Sequence, residues 1–212
     1  MQIIGLTGPV ASGKNFVAGV FKKLKIPVFD ADFEVHQLFC EDKNIFDQIK
    51  SSFPKAIVNE KIDRKLLGKE VFKNKIKLDE LEDIIYPSLR LREDSFLNKN
   101  RRNGKKIVVL NIPLLFEKGG FKRCSQTITI ITPKKIRFNR FLQRSKGLSL
   151  FDARKKFESI NKNQMNERER KKYADYCLFN GLDKGFSARQ VKKLMKKICN
   201  INCQFYKGIT NN

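Results

Sequence analysis

Near the start of the chain, Gly8-Pro9-Val10-Ala11-Ser12-Gly13-Lys14 joins the apolar run Gln2–Thr7 to a segment with apolar residues at helical spacing: Phe16, Val17, Val20, Phe21 and Leu24. A strand, a glycine loop and a helix in that order leave few architectures open. Gly8 and Gly13 let the main chain wrap an anion closely enough for N–H groups to point inward, and Lys14 adds a positive charge at the outer phosphates. The helix N-terminus supplies its own attraction for anions. The motif reads as the phosphate-binding loop of an ATP-dependent phosphotransferase. A glycine-lysine turn that holds no ligand is the competing reading.

The remainder of the chain alternates strands with helices. Ile26–Phe29 reads as a short strand ending in Asp30-Ala31-Asp32, with helix following through Phe39. Asp63–Phe72 and Leu78–Leu97 read as helices, the second broken or kinked at Pro87. Lys106–Ile112 is a continuous apolar strand of the kind covered on both faces, and Thr127–Ile131 is another. Thr132 and Pro133 read as the N-cap and first-turn proline of a helix to about Arg144. Ser149, with Asp152 three residues on, opens a helix that continues toward Lys172. Tyr176–Phe179 is a fifth strand, and Ser187 caps a last helix ending near Cys199. This order predicts an α/β fold, P-loop NTPase-like, with three layers (α/β/α) around a five-stranded parallel sheet. Ligands then belong at the carboxyl ends of the strands, where the glycine loop, the Asp pair and Asn111 fall.

With 212 residues, a single domain is the expectation. No apolar run reaches the eighteen or so residues of a membrane span, so a cytoplasmic address is expected. Five cysteines (Cys40, Cys124, Cys177, Cys199, Cys203) lie scattered, without the C-x-x-C pairs of zinc or redox sites. Cys199 and Cys203 could share a helix face, but one histidine in the whole chain argues against metal there. The net charge of +23 attracts polyanions of any kind. Its heavier clusters, Lys99–Lys106, Arg168–Lys172 and Lys192–Lys197, are mostly lysines that read as solvated helix faces, so no dedicated nucleic-acid partner is expected.

Three groups of residues carry candidate chemistry. Asn15 stands where a hydroxyl normally follows the loop lysine and holds Mg²⁺; its amide oxygen is a candidate magnesium ligand. Asp30 and Asp32 return after one crossover helix; Asp32 is the candidate proton acceptor in phosphoryl transfer, and Asp30 the helix cap. Arg137, Arg140 and Arg144 follow the fourth strand as candidate phosphate clamps, against the alternative of a solvated basic face. Lys146-Gly147-Leu148 then offers a hinge for a lid.

Taken together these motifs resemble the dephospho-CoA kinase family, over nearly the whole chain from Ile3 to about Ile198. The similarity rests on the Gly8–Lys14 loop, the Asp30–Asp32 strand end, and Ile112-Pro113-Leu114-Leu115-Phe116-Glu117. Arg140–Arg144, Gln164, Ala174-Asp175-Tyr176 and Asn180-Gly181 extend it. The Pro-Leu-Leu-Phe-Glu stretch is the most diagnostic of these. The resemblance implies transfer of phosphate from ATP to the ribose 3′-hydroxyl of dephospho-coenzyme A, the last step of coenzyme A synthesis, with Mg²⁺ as cofactor. Asp32 would be the general base, and Ala11–Phe16 the ATP loop with Lys14 on the phosphates. Arg140 would sit in the lid beside Arg144, and Asn180 and Gly181 near the adenine. His36, Leu114 and Leu115 would lie on the acceptor side.

The same resemblance implies a core of about 1–40 and 104–199, a helical substrate-binding insertion of about 41–103, a lid of about 137–165, and a tail of 200–212. This chain departs from the family pattern at Pro9, Ala11, Asn15, Tyr86 and Asn111. Asn111 removes a carboxylate that could hold magnesium through water. Two other readings stay open here: another small-molecule P-loop kinase of the nucleoside monophosphate type, and a non-catalytic basic protein that holds nucleic acid.

Overall fold

The computed structural model describes residues 1–71, 74–181 and 183–207, with side chains as far as Ile198. In chain order its elements are β1 (Gln2–Thr7), α1 (Lys14–Lys23), β2 (Val28–Asp30), α2 (Ala31–Glu41), α3 (Lys43–Ser52), β3 (Ile57–Val58), β4 (Lys61–Ile62), α4 (Arg64–Val71), α5 (Lys75–Arg102), β5 (Ile107–Asn111), β6 (Gln126–Ile131), α6 (Lys134–Arg144), α7 (Leu150–Lys162), α8 (Glu167–Tyr173), β7 (Tyr176–Phe179) and α9 (Lys184–Lys207). The expected five-stranded parallel sheet is present, in the order β2-β5-β1-β6-β7. β1 pairs with β5 so that Leu6 faces Asn111, and with β6 so that Thr7 faces Thr129. β6 pairs with β7, setting Ile131 against Phe179.

The chain divides into two compact units, Met1–Val28 with Lys106–Asn212, and Phe29–Lys105. The second therefore begins at Phe29, earlier than the expected insertion at 41, and carries Asp30 and Asp32 with it. In the first unit, strand alternation sends Ile4, Leu6, Val109, Ile128 and Ile130 to one face, where they pack on Val17 and Phe21 of α1 and Val191 and Met195 of α9. The intervening Gly5 faces the other way, against Leu115 and Cys124. Rings of Phe116, Phe121 and Tyr173 cluster in the same unit, with centroids 5.8 to 6.2 Å apart.

The second unit has its own core of Leu38, Ile45, Ile49, Phe53, Leu67, Leu81 and Ile85. Its spine, α5, continues for 28 residues without a break at Pro87, where a kink or a break was expected. Asn74 starts this helix by accepting from the N–H groups of Ile76 and Lys77, and Leu81, Ile85 and Leu97 bury one side of it. Packing on both sides of the proline outweighs the one main-chain hydrogen bond it removes. α3 and the β3–β4 hairpin were not anticipated.

Further along, the helix expected from Ser149 to Lys172 is two helices, α7 and α8, separated by Asn163–Asn166. Ser187 does not cap α9, which starts at Lys184 and extends to Lys207, past the expected end at Cys199. The end of the expected tail, 208–212, lies outside the described residues, as do Phe72 and the side chains of Cys199 and Cys203. Lysines of the three basic clusters are exposed, as a solvated face requires; Arg170, by contrast, is 1% exposed.

Candidate active site

The glycine loop leaves β1 and turns into α1 through two residues in the left-handed region, Ala11 at φ 58° and Gly13 at φ 84°. Ser12 N–H donates to the Pro9 carbonyl at 3.0 Å, closing the turn. The Ser12 carbonyl, pointing away from the cradle, is met by three donors: Asn180 Nδ2 at 2.7 Å, Thr132 Oγ1 at 3.0 Å and Arg140 Nη1 at 3.2 Å. Thr132 and Asn180 come from the adjoining ends of β6 and β7, so sheet register delivers both to one atom. Thr132 is thus not the helix cap expected of it; Pro133 occupies that position. A Cβ at Gly13 would run into Asn180 Nδ2, so this position requires glycine for space as well as for φ.

Lys14 is buried, 8% exposed, at the start of α1. Asn15 is exposed, and its Oδ1 accepts from Asn111 Nδ2 at 3.3 Å. The two positions where the metal-binding pattern is altered are therefore one hydrogen-bonded pair. Asn15 Oδ1 keeps a second lone pair for a cation, and an amide oxygen suits magnesium, so the residues present are compatible with the ion as neutral ligands.

The three arginines separate by burial. Arg140 donates to the carbonyls of Ser12, Asn180 and Gly181, which brackets the loop from the β7 side. Arg144 is exposed. Arg137, expected on phosphate or in solvent, is 8% exposed and donates to the carbonyls of Thr132 at 3.2 Å and Val10 at 3.3 Å and to Asn161 Oδ1 at 2.7 Å. Burial lowers the proton affinity of Arg137 and Arg140, and the neighbouring Arg144 lowers that of Arg140 further; both guanidiniums stay charged. Asn180, expected near adenine, is 2% exposed, its amide committed to Ser12 and to the Ser187 hydroxyl at 2.9 Å.

Leu115, expected on the acceptor, is fully buried, with Cδ2 2.6 Å from where a Cβ on Gly5 would stand. Its side chain fills the space that Gly5 leaves and supports the strand, while Leu114 is half-buried. The reason for Glu117 in the diagnostic stretch is now visible. Its Oε1 accepts from Met165 N–H at 2.8 Å and from Arg170 Nη2 at 3.0 Å, fixing the turn between α7 and α8. Gln164 in that turn accepts from Val10 N–H at 2.8 Å.

In the second unit Asp30 caps α2 as expected, Oδ1 accepting from Phe33 N–H at 3.3 Å. Asp32 follows in the exposed first turn. His36 lies four residues on, its Nδ1 3.8 Å from Cys40 Sγ. His36, Phe39, Cys40, Phe46, Lys61 and Arg64 are among the residues lining a cavity of about 560 Å³ within this unit.

The family model described as Dephospho-CoA kinase matches residues 2–184 of the chain. The chain belongs to the dephospho-CoA kinase family. Curated dephospho-CoA kinases of Bartonella quintana and Gluconobacter oxydans are 39% and 35% identical to it, each over 93% of this chain and 98% of its own length. Among solved structures, a Thermus thermophilus protein is 31% identical with a TM-score of 0.77, covering 92% of this chain and 97% of that one. The dephospho-CoA kinase of Campylobacter jejuni is 27% identical with a TM-score of 0.66, covering 94% and 98%. No described helix is long and apolar enough to cross a membrane.

Proposed function

We propose that this chain transfers the γ-phosphoryl group of ATP to the ribose 3′-hydroxyl of dephospho-coenzyme A, giving coenzyme A and ADP. The observation that carries the reading is the loop whose Ser12 carbonyl is held by Thr132, Asn180 and Arg140, in a chain matched to the family from residue 2 to 184. Main-chain N–H groups of Ala11 and Gly13–Asn15 bind the phosphates, and Lys14 neutralises charge on the transferring group. Asp32 accepts the proton as the acceptor oxygen attacks the γ-phosphorus and the bond to ADP breaks. His36, on the same helix, contributes to binding the acceptor, and so does Leu114. Arg140 and Asn180 act through the loop's main chain, Gly181 offers main chain beside the adenine, and Arg144, the exposed one of the three arginines of α6, meets phosphate.

Among the described residues no group of three or more His, Cys, Asp or Glu side chains is placed to hold a metal. Magnesium would then be held chiefly by the nucleotide's own phosphates, with Asn15 Oδ1 as a neutral protein contact. When bound it supplies charge neutralisation at the β and γ phosphates. An ADP-release assay compares dephospho-coenzyme A with nucleoside monophosphates as acceptors. Turnover with dephospho-coenzyme A alone supports the proposal; preference for a nucleoside monophosphate, or no turnover with magnesium and ATP, overturns it.

A further inference from the structure

Ala11 poses a problem that the loop alone does not solve. A residue with a Cβ at φ 58° is strained, and such a residue stays put only when its surroundings over-determine it. The following residue is pinned through the Ser12 carbonyl. The preceding one, Val10, is pinned through both of its main-chain groups: its N–H donates to Gln164 Oε1 at 2.8 Å and its carbonyl accepts from Arg137 Nη1 at 3.3 Å.

The two gripping side chains come from different elements and are themselves locked. Arg137 is fixed by Thr132 and Asn161 and lies 5.5 Å from the Phe157 ring centroid. Gln164 follows Asn161, whose own amide donates to the Phe157 carbonyl at 2.7 Å, and precedes Met165, whose N–H is held by Glu117. A route of contacts thus runs from the diagnostic Glu117 through the α7–α8 turn to the phosphate loop.

We infer that Arg137 and Gln164 are positioning residues: a clamp on the peptide groups of Val10 that keeps Ala11 in its strained conformation and so keeps the loop shaped for phosphate. Neither needs to touch ATP. The segment 137–165, expected as a lid, is fastened to the loop at this point. The inference rests on the loop's role as a nucleotide site, and its test is chosen to be readable without turnover.

ATP affinity is measured by calorimetry, with no acceptor present, for the wild type and for Gln164→Met, Gln164→Glu, Ala11→Gly and the Ala11→Gly/Gln164→Met pair. Val10 amide exchange is followed in the same samples. Gln164→Met, which keeps length and loses the acceptor, should weaken ATP binding about tenfold and speed Val10 exchange. Gln164→Glu keeps an acceptor and should restore slow exchange and most of the affinity. Glycine adopts the left-handed conformation without strain, so Ala11→Gly in the Gln164→Met background should recover affinity to within about threefold of wild type. Arg137→Lys, which keeps the charge but not the three-way grip, repeats the test if Gln164→Met does not fold.

Wild-type affinity and exchange in Gln164→Met overturn the clamp, and so does an Ala11→Gly change that brings no recovery. A wild type that turns over no dephospho-coenzyme A overturns the proposed reaction instead, and leaves exchange at Val10 to decide the clamp.

Discussion

Asn111 Nδ2 donates to Asn15 Oδ1 across 3.3 Å, tying the carboxyl end of β5 to the first turn of α1. Two residues that look like separate losses from a magnesium site are a matched pair, each amide supplying what the other needs. Asn111 is fully buried, which makes the pair sensitive to charge.

Changing Asn111→Asp should therefore destabilise the protein without metal by about 1–3 kcal/mol, since it removes the Nδ2 donor and puts a carboxylate at a fully buried position. Magnesium with ADP should return much of that stability, because a ligand that binds only the folded state stabilises it by mass action. Thermal melts in EDTA and in magnesium-ADP check both halves. Equal melting shifts in the two buffers would remove the metal from this position.

Asn180→Ala should raise KM for ATP about tenfold and leave KM for dephospho-coenzyme A unchanged. The substitution strips the 2.7 Å donor from the Ser12 carbonyl and the acceptor from the Ser187 hydroxyl, both inside the first unit. Initial rates with each substrate varied in turn provide the comparison.

Glu117→Gln should cost about 2–3 kcal/mol of stability, read from the urea midpoint. Arg170 is almost wholly buried, its Nε and Nη1 have no hydrogen-bond partner among the described residues, and Glu117 is the anion beside it. Breaking such a pair leaves a buried charge, whereas Glu117→Met with Arg170→Met should cost less than the single change.

Asp32→Asn should lower kcat by two to four orders of magnitude with KM for ATP little changed, as expected for a proton acceptor that nucleotide binding does not use. An unchanged kcat would take Asp32 out of its assigned role.

The sheet was legible in advance because its strands are continuous apolar runs and its loop carries its own glycines. Asp30 as a cap and Asp32 beyond it followed from the same local grammar. The α7–α8 break was harder to see, for Asn163–Asn166 contains neither glycine nor proline. The available signal was Asn166 with Glu169 three residues on, a capping pattern: Asn166 Oδ1 accepts from Glu169 N–H at 2.9 Å. Arg137 and Arg170 could not be read as interior residues, since a chain this basic gives no local sign of which cations are folded inward. Asn180 and Leu115 were placed near ligands by the family resemblance, which carries no sign of their burial. The three-dimensional packing that turns them beneath the loop and beneath β1 is a property of strands far apart in sequence.

Because Val10 is gripped by its peptide N–H and C=O, groups that every residue but proline carries, the grip itself is blind to amino-acid identity at position 10. A saturation scan would read as a nearly silent column, with a single exception. Proline has no N–H to give Gln164, and at that one letter the silence should end.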